Sequence, residues 1–319
     1  MIAMKAVILA AGKSTRTFPL TLDKPKPLIP LADKPLLAWN LDQLQGLVDE
    51  VVIVVGYKKE MIRAAFGDEY HGLPLKYVVQ EDQEGTGHAL LTARDLVGEE
   101  FVVLNGDDLY AAEDIEAISK KKNCLLAREV DDASKYGALR VRDGKIEEIV
   151  EKPKHYVSNL INLGLYKFTA DIFPFLENIR KSPRGEYEII EAINDLAKTT
   201  EVEYLPLQDY WLPVGYPHQV IEANNFLLQR YYQTSVLKGP GAIVGDSQFA
   251  QVTLGRGSIV GNDVKIKNSV IFPGAEIADN CIVEDSIIGD NVVLKPGTVV
   301  KGNCVVSSDS QLVTKAINR

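Results

Sequence analysis

The sequence predicts two folds in series: a doubly wound, mostly parallel (Rossmann-like) α/β sheet over residues 1–235, then a short left-handed parallel β-helix over residues 240–319. Three observations carry this. Residues 5–110 alternate apolar, strand-like runs with helix-like stretches at the spacing of βα units. The first such run passes straight into the small residues Ala11-Gly12, where backbone amides can approach a ligand closely. Beyond residue 240 aliphatic residues recur at intervals of about six, many beside a Gly, acidic or small residue.

The elements follow in order. Lys5–Ala10 and Glu50–Val55 are near-continuous apolar runs, as expected of parallel strands buried on both faces. Between them, residues 35–47 carry an apolar stripe of Leu37, Trp39, Leu41 and Leu44 and read as a helix. Residues 58–66 read as a second helix, 75–79 as a third strand, 87–96 as a third helix and 101–104 as a fourth strand. Two β-rich runs, 136–142 and 145–151, flank Asp143-Gly144 and predict a hairpin. Residues 163–168 read as a strand, and 187–197 and 218–232 as helices. In the C-terminal part the repeated positions are Val244, Leu254, Val260, Ile266, Ile271, Ile277, Val283, Ile288, Leu294, Val300 and Val306. They allow about four coils, with the aliphatics stacked inside a prism.

Composition bounds the chemistry. With 46% hydrophobic and 25% charged residues in 319, the chain has the make-up of a globular protein. The formal net charge of -9 argues against a nucleic-acid partner, so any polyanionic ligand must be held by local cations and a metal. No apolar run reaches the ~18 residues of a membrane span, and the N-terminal apolar run reads as a strand and not as a leader. Cys124, Cys281 and Cys304 are scattered, which fits a reducing, cytoplasmic setting with no disulfide framework.

Ligands of doubly wound sheets bind at the carboxyl ends of the strands. The segment from Leu9-Ala10-Ala11-Gly12 onward, Gln80 and Asp107 all follow strands and are expected to face one crevice. Arg16 offers a planar fork for phosphate oxygens and Lys26 a mobile point charge. A strand, a glycine turn and ordinary surface charges would also account for Ala-Ala-Gly alone. The segment is neither a Walker A loop nor a dinucleotide fingerprint. Asp107 can hold Mg²⁺ at a strand end, whereas an Asx turn would explain Asp107-Asp108 as well.

The whole string Gly12-Lys13-Ser14-Thr15-Arg16-Thr17-Phe18-Pro19-Leu20-Thr21, followed by Pro25-Lys26-Pro27, resembles the signature of the sugar-1-phosphate nucleotidylyltransferases. It departs at Thr17, where Leu is usual. The resemblance covers nearly the whole chain. It implies a loop wrapped around a nucleoside triphosphate, with Arg16 and Lys26 on its phosphates. It also implies Mg²⁺ on Asp107, next to Gly106. Gln80, Gly85 and Thr86 resemble the base-recognition segment, most like that of N-acetylglucosamine-1-phosphate uridylyltransferases. A Gln amide can donate and accept at the imide edge of uracil or thymine. Thr86 as the cap of the following helix explains part of that segment equally well. Glu151-Lys152-Pro153 resembles the motif whose Lys meets the sugar phosphate. Gly137, Asn162 and Glu186 fall where the family lines the sugar site, although helix capping explains Glu186 too.

Two features depart from the pattern. The family usually carries a second metal-binding Asp where this chain has Pro213. Mg²⁺ is then left to Asp107, phosphates and water, or Asp108 or Asp209 substitutes, or activity is reduced. The last case would make the chain a catalytically weak, sugar-nucleotide-binding regulator. Second, the histidines are His71, His88, His155 and His218, so none lies in the repeat region. Hexapeptide acyltransferases generally need a histidine base, so these coils are expected to serve assembly of a homo-oligomer, or regulation. A purely structural role for the chain is opposed by Arg16, Lys26, Asp107 and Lys152 together.

Overall fold

The computed structural model describes residues 4–312 and 317–318. The expected β-helix span of 240–319 therefore includes residues 313–316 and 319, which lie outside the described residues. The chain resolves into two compact units. One joins the residues up to Gly12 to Asn40–Trp211, and the other joins Lys13–Trp39 to the chain from Leu212 onward.

The first unit is built on a ten-stranded sheet. Its main strands are β1 (Lys5–Ala10), β2 (Glu50–Val55), β3 (Leu73–Val79), β4 (Glu100–Asn105), β5 (Cys124–Glu129), β6 (Gly137–Arg142), β7 (Lys145–Glu151), β8 (Leu160–Thr169) and β9 (Glu203–Pro206). The order is β6-β7-β9-β5-β8-β4-β1-β2-β3, with Glu69–Tyr70 at the far edge. Strands β3, β2, β1 and β4 run parallel, as the alternating pattern predicts. Strand β8 is antiparallel to both β4 and β5. Val51–Val55 and Ala6–Ile8 are almost wholly buried, which explains their unbroken apolar runs. Each Val or Ile side chain among them contributes about 1.5–3 kcal/mol relative to exposure.

Helices α1 (Leu36–Leu44), α2 (Lys59–Phe66), α3 (Thr86–Thr92), α4 (Ala112–Ser119) and α5 (Ile189–Ala197) accompany these strands. Ala89 and Leu90 of α3 and Ile189, Ile193 and Leu196 of α5 share one core with Val52, Val103, Leu125 and Phe168. The predicted hairpin forms as β6 and β7, antiparallel, with Asp143 and Gly144 both at positive φ. The third helix is shorter than its sequence pattern. It ends at Thr92, whose hydroxyl donates back to the Ala89 carbonyl at 2.7 Å, and a 3₁₀ turn follows over Arg94–Leu96.

In the second unit, helix α6 (Pro217–Leu227) precedes two ladders of short parallel strands. Ile243 pairs with Ile259, Ile259 with Glu276 and Glu276 with Val293, one coil of about 17 residues apart. Each coil turns at residues with positive φ, in columns such as Gly257, Gly274 and Asn291, or Asn268, Asp285 and Asn303. Gly, Asn and Asp tolerate that conformation best, which is why they recur beside the aliphatics. The predicted interior positions from Leu254 to Val306 are buried together, and Val244 packs against them at the first coil. This is the architecture of a parallel β-helix. Cys124, Cys281 and Cys304 are buried and none of them is in a disulfide. Among the described residues no helix is long and apolar enough to cross a membrane.

Candidate active site

Strands β1 and β4 are neighbours, with Leu9 in register with Asn105. From β1 the strand order runs outward to β2 and β3, while β4 lies on the opposite side, so the β1/β4 ends form a topological switch point. The Gly106 amide donates to the Leu9 carbonyl at 2.9 Å. A Cβ at Gly106 would stand 2.7 Å from that oxygen and 3.1 Å from the Ala10 Cβ. Gly106 therefore lets the chain after β4 lie directly on Leu9-Ala10, and Asp107 emerges beside the start of the glycine turn. On the other flank Tyr57 donates to the Ala11 carbonyl at 3.0 Å.

Asp108 has a structural task. It begins a short strand, Asp108–Tyr110, and its Oδ2 accepts the Trp211 indole N–H at 3.0 Å. Tyr110 is fully buried and donates to the Leu163 carbonyl at 2.9 Å. Burial, then the charges of Asp108 and Asp107, push its phenol well above the usual range, so it remains a donor. Among the described residues no group of three or more His, Cys, Asp or Glu side chains could cage an ion. Two adjacent carboxylates, one engaged by Trp211, are hard oxygen donors. They fit a Mg²⁺ that keeps water and phosphate ligands, and do not fit zinc.

Gln80 follows β3 and is 3% exposed. Its amide nitrogen donates to the Gly85 carbonyl at 3.0 Å and lies 3.1 Å from His88 Nδ1. Gly85, with φ of 111°, leads into α3, and a Cβ there would meet the Tyr187 carbonyl at 2.6 Å. Thr86 does not cap its own helix, contrary to one sequence reading. Gly85 occupies the N-cap position, and the Thr86 hydroxyl instead accepts the amide of Ile189, the first residue of α5, at 3.1 Å. The segment Ser182–Ile189 thus lies across Glu84–Gly87, with further bonds from Tyr187 to Glu84 and from Gly87 to Tyr187.

The same segment reaches the end of β7. The Arg184 guanidinium bridges Glu151 at 3.2 Å and Glu188 at 3.0 Å. Burial raises the Glu151 carboxyl above its ordinary range, partly opposed by Arg184. Lys152 follows at φ 45° with its ammonium 3.7 Å from Glu151, and its amide donates to the Tyr136 carbonyl at 2.8 Å. Gly137 lies against Glu151, where a Cβ would stand 3.3 Å from Oε2. Asn162 accepts from the Gly164 amide at 3.0 Å and donates to the Tyr166 hydroxyl at 2.7 Å, at an irregularity in β8. Glu186 is exposed, and its carbonyl accepts from Ser182 at 2.8 Å. The structure therefore brings Gly137, Glu151 and Lys152 together. It adds Arg184 and Glu188, which no local pattern singles out, while His88, inside the segment Gly85–Ala89 that resembles the base-recognition region, stands against Gln80.

In the second unit the signature segment folds as two 3₁₀ turns, Thr15–Thr17 and Lys26–Leu28. The Thr17 and Thr21 hydroxyls both donate to the Ser14 carbonyl, at 2.7 and 2.9 Å. Thr17, where the sequence departs from the signature, is thus buried and bonded. Arg16 is exposed with its guanidinium carbon 5.3 Å from the Tyr216 ring centroid. Lys26 is only 2% exposed.

A family model described as nucleotidyl transferase matches residues 5–230, and one described as the GMPPB C-terminal domain matches residues 232–317. The chain belongs to the nucleotidyl transferase family. As a nucleotidyltransferase it is similar to the bifunctional protein GlmU of Methanococcus maripaludis, 35% identical across 90% of this chain and 77% of the relative. It is also similar to the UTP–glucose-1-phosphate uridylyltransferase AglF of Haloferax volcanii, 40% identical over 73% of this chain and all of that one. A solved UDP-glucose pyrophosphorylase in complex with UDP-glucose superposes with a TM-score of 0.65 at 28% identity, covering 73% of this chain and 99% of that one.

Proposed function

We propose that this nucleotidyltransferase joins a uridylyl or thymidylyl group to a hexose-1-phosphate, such as N-acetylglucosamine-1-phosphate or glucose-1-phosphate, and releases pyrophosphate. The observation that carries the reading is the seating of Gly106-Asp107 on Leu9-Ala10 at the β1/β4 switch point. The names of two relatives support it, one a UTP–glucose-1-phosphate uridylyltransferase and the other a UDP-glucose pyrophosphorylase complexed with UDP-glucose.

In this reading an oxygen of the sugar phosphate attacks the α-phosphorus. A new P–O bond forms, the bond between the α-phosphorus and its bridging oxygen breaks, and the electron pair leaves on pyrophosphate. The nucleophile is already ionised, so no strong base is needed. Arg16 and Lys26 stabilise charge on the triphosphate, and Lys152 positions the sugar phosphate. Gln80, with its amide nitrogen turned to Gly85 and His88, presents its carbonyl oxygen to the N–H of the imide edge. Asn162 and Glu186 meet sugar hydroxyls or an N-acetyl group. Asp107 would hold Mg²⁺, which when bound supplies positive charge to the triphosphate oxygens. Pro213 carries no side-chain oxygen, so phosphates and water complete the shell. The test is pyrophosphate release with a panel of triphosphates and sugar phosphates. Turnover with UTP or dTTP is expected, and tight binding of a sugar nucleotide without turnover favours the regulator that Pro213 suggests.

We also infer that the β-helix assembles a homo-oligomer and that the protein works in the cytoplasm. No histidine follows His218, which argues against an acyltransferase role for these coils. Truncation near residue 236 is expected to lower the native mass in solution.

A further inference from the structure

The signature segment leaves the sheet-bearing unit after Gly12. Lys13–Trp39 forms one compact unit with the chain from Leu212 onward. Its attachments run along its length. Arg16 lies over Tyr216. The Ala32 amide and the Thr253 hydroxyl both donate to Asn224 Oδ1, at 2.9 and 2.8 Å. Asp33 accepts the Arg256 amide at 3.0 Å. Between these points the Lys24 ammonium pairs with Asp290 Oδ2 and stands 5.1 Å from the Phe272 ring centroid.

The Lys24–Asp290 pair is built rather than incidental. The two side chains are only 14% and 21% exposed. The Ser308 hydroxyl, from the next coil, donates to the same carboxylate oxygen at 3.2 Å. Phe272 is fully buried and offers its ring to the ammonium. Lys24 is two residues from Lys26, and Pro25 and Pro27 fix φ on either side of Lys26. Few soft torsions therefore separate the anchored ammonium from Lys26.

We propose that Asp290, on the β-helix, is a positioning residue for nucleotidyl transfer: through Lys24 it holds the Pro25-Lys26-Pro27 turn in the form that receives the triphosphate. The proposal rests on the reading above that this segment binds the triphosphate. The physical reason is entropic. Over residues 13–29 the regular structure is two short 3₁₀ turns, so without anchors a ligand must order this stretch on binding. A socket supplied by the coils orders it beforehand. The β-helix then contributes to turnover with no reactive group of its own.

The test uses the full chain with Lys24→Met, Asp290→Ala and the exchanged pair Lys24→Asp/Asp290→Lys. Two quantities are read: steady-state KM for UTP and for the sugar phosphate, and amide hydrogen exchange by mass spectrometry. Each single variant is expected to raise KM for UTP about tenfold and to leave that for the sugar phosphate within about twofold. Peptides spanning residues 13–29 exchange at least about fivefold faster, while peptides from β1 to β4 do not change. The exchanged pair recovers most of both effects. Lys24→Met lies outside the coils, so it stays informative if Asp290→Ala unfolds them. Unchanged UTP kinetics and loop exchange in Lys24→Met, or losses that the exchanged pair does not recover, overturn the proposal. Absence of turnover in the parent protein counts against the substrate reading alone, and the loop exchange rates then decide the anchoring.

Discussion

The amide of Gly106 donates to the carbonyl of Leu9 at 2.9 Å, and no other residue type fits there, since a Cβ would lie 2.7 Å from that oxygen. Gly106→Ala must shift either β1 or the backbone that carries Asp107. Overpacking of this kind costs about 1–3 kcal/mol. The variant is expected to melt lower and to lose at least about tenfold in kcat/KM. Asp107→Ala is expected to abolish Mg²⁺-dependent turnover with little change in Tm. Near-normal turnover of that variant removes Asp107 from the metal site.

Arg16 and Lys26 are predicted to differ in a measurable way. Arg16 is exposed, so Arg16→Ala leaves Tm unchanged and lowers kcat/KM by at least about tenfold. Lys26 is almost wholly buried, so Lys26→Ala lowers both kcat/KM and Tm. Thermal melts run beside the kinetics separate the two effects. Unchanged kinetics in both variants reduces the segment to a turn.

Glu151 gives a pH signature. Its carboxyl titrates above the ordinary 4.5 because of burial, with Arg184 opposing. A raised pKa means that the native state holds the proton more tightly than the unfolded chain does. That stabilisation is complete below the unfolded pKa and is lost as pH rises through the folded pKa. Glu151→Gln cannot ionise and lacks this dependence. The Tm of the parent minus that of the variant is therefore expected to be largest near pH 4 and to fall as pH rises towards 7. A difference that grows with pH reverses the assignment and makes the Arg184 pairing dominant.

Pro213 tests the metal shell. If the missing carboxylate weakens Mg²⁺ binding, Pro213→Asp lowers the Mg²⁺ concentration for half-maximal activity, and turnover rises or stays level. Full activity of the parent at low Mg²⁺, with no tighter dependence in the variant, shows that Asp107, phosphates and water suffice.

The parts legible in the sequence are those whose pattern is local. Val51–Val55 reads as a buried parallel strand because both its faces are covered, and the coils announce themselves through Ile266, Val283 and Val300. Strand β5, Cys-Leu-Leu-Ala-Arg-Glu, has no alternation that separates it from a helix; its pairing with β8 decides it. Strand β9 is likewise fixed only by lying beside β5. The motif residues Gly106, Asp107, Gln80 and Lys152 stand at strand ends, where a reading by strand and turn finds them. Arg184 and Glu188 were illegible, because their partner Glu151 is remote in sequence and only the fold of Ser182–Ile189 joins them. Thr86 shows the same limit: its position suggested a local cap, yet its hydroxyl serves a helix from a distant part of the chain.

The most direct measurement follows oxygen. N-acetylglucosamine-1-phosphate, or glucose-1-phosphate, labelled with ¹⁸O in its phosphate is incubated with UTP, Mg²⁺ and the protein, and both products are weighed by mass spectrometry. Attack of the sugar phosphate on the α-phosphorus predicts that all of the label stays in the nucleotide sugar and none enters pyrophosphate. Label in the inorganic product, or UTP consumed with no nucleotide sugar formed from either sugar phosphate, contradicts the account.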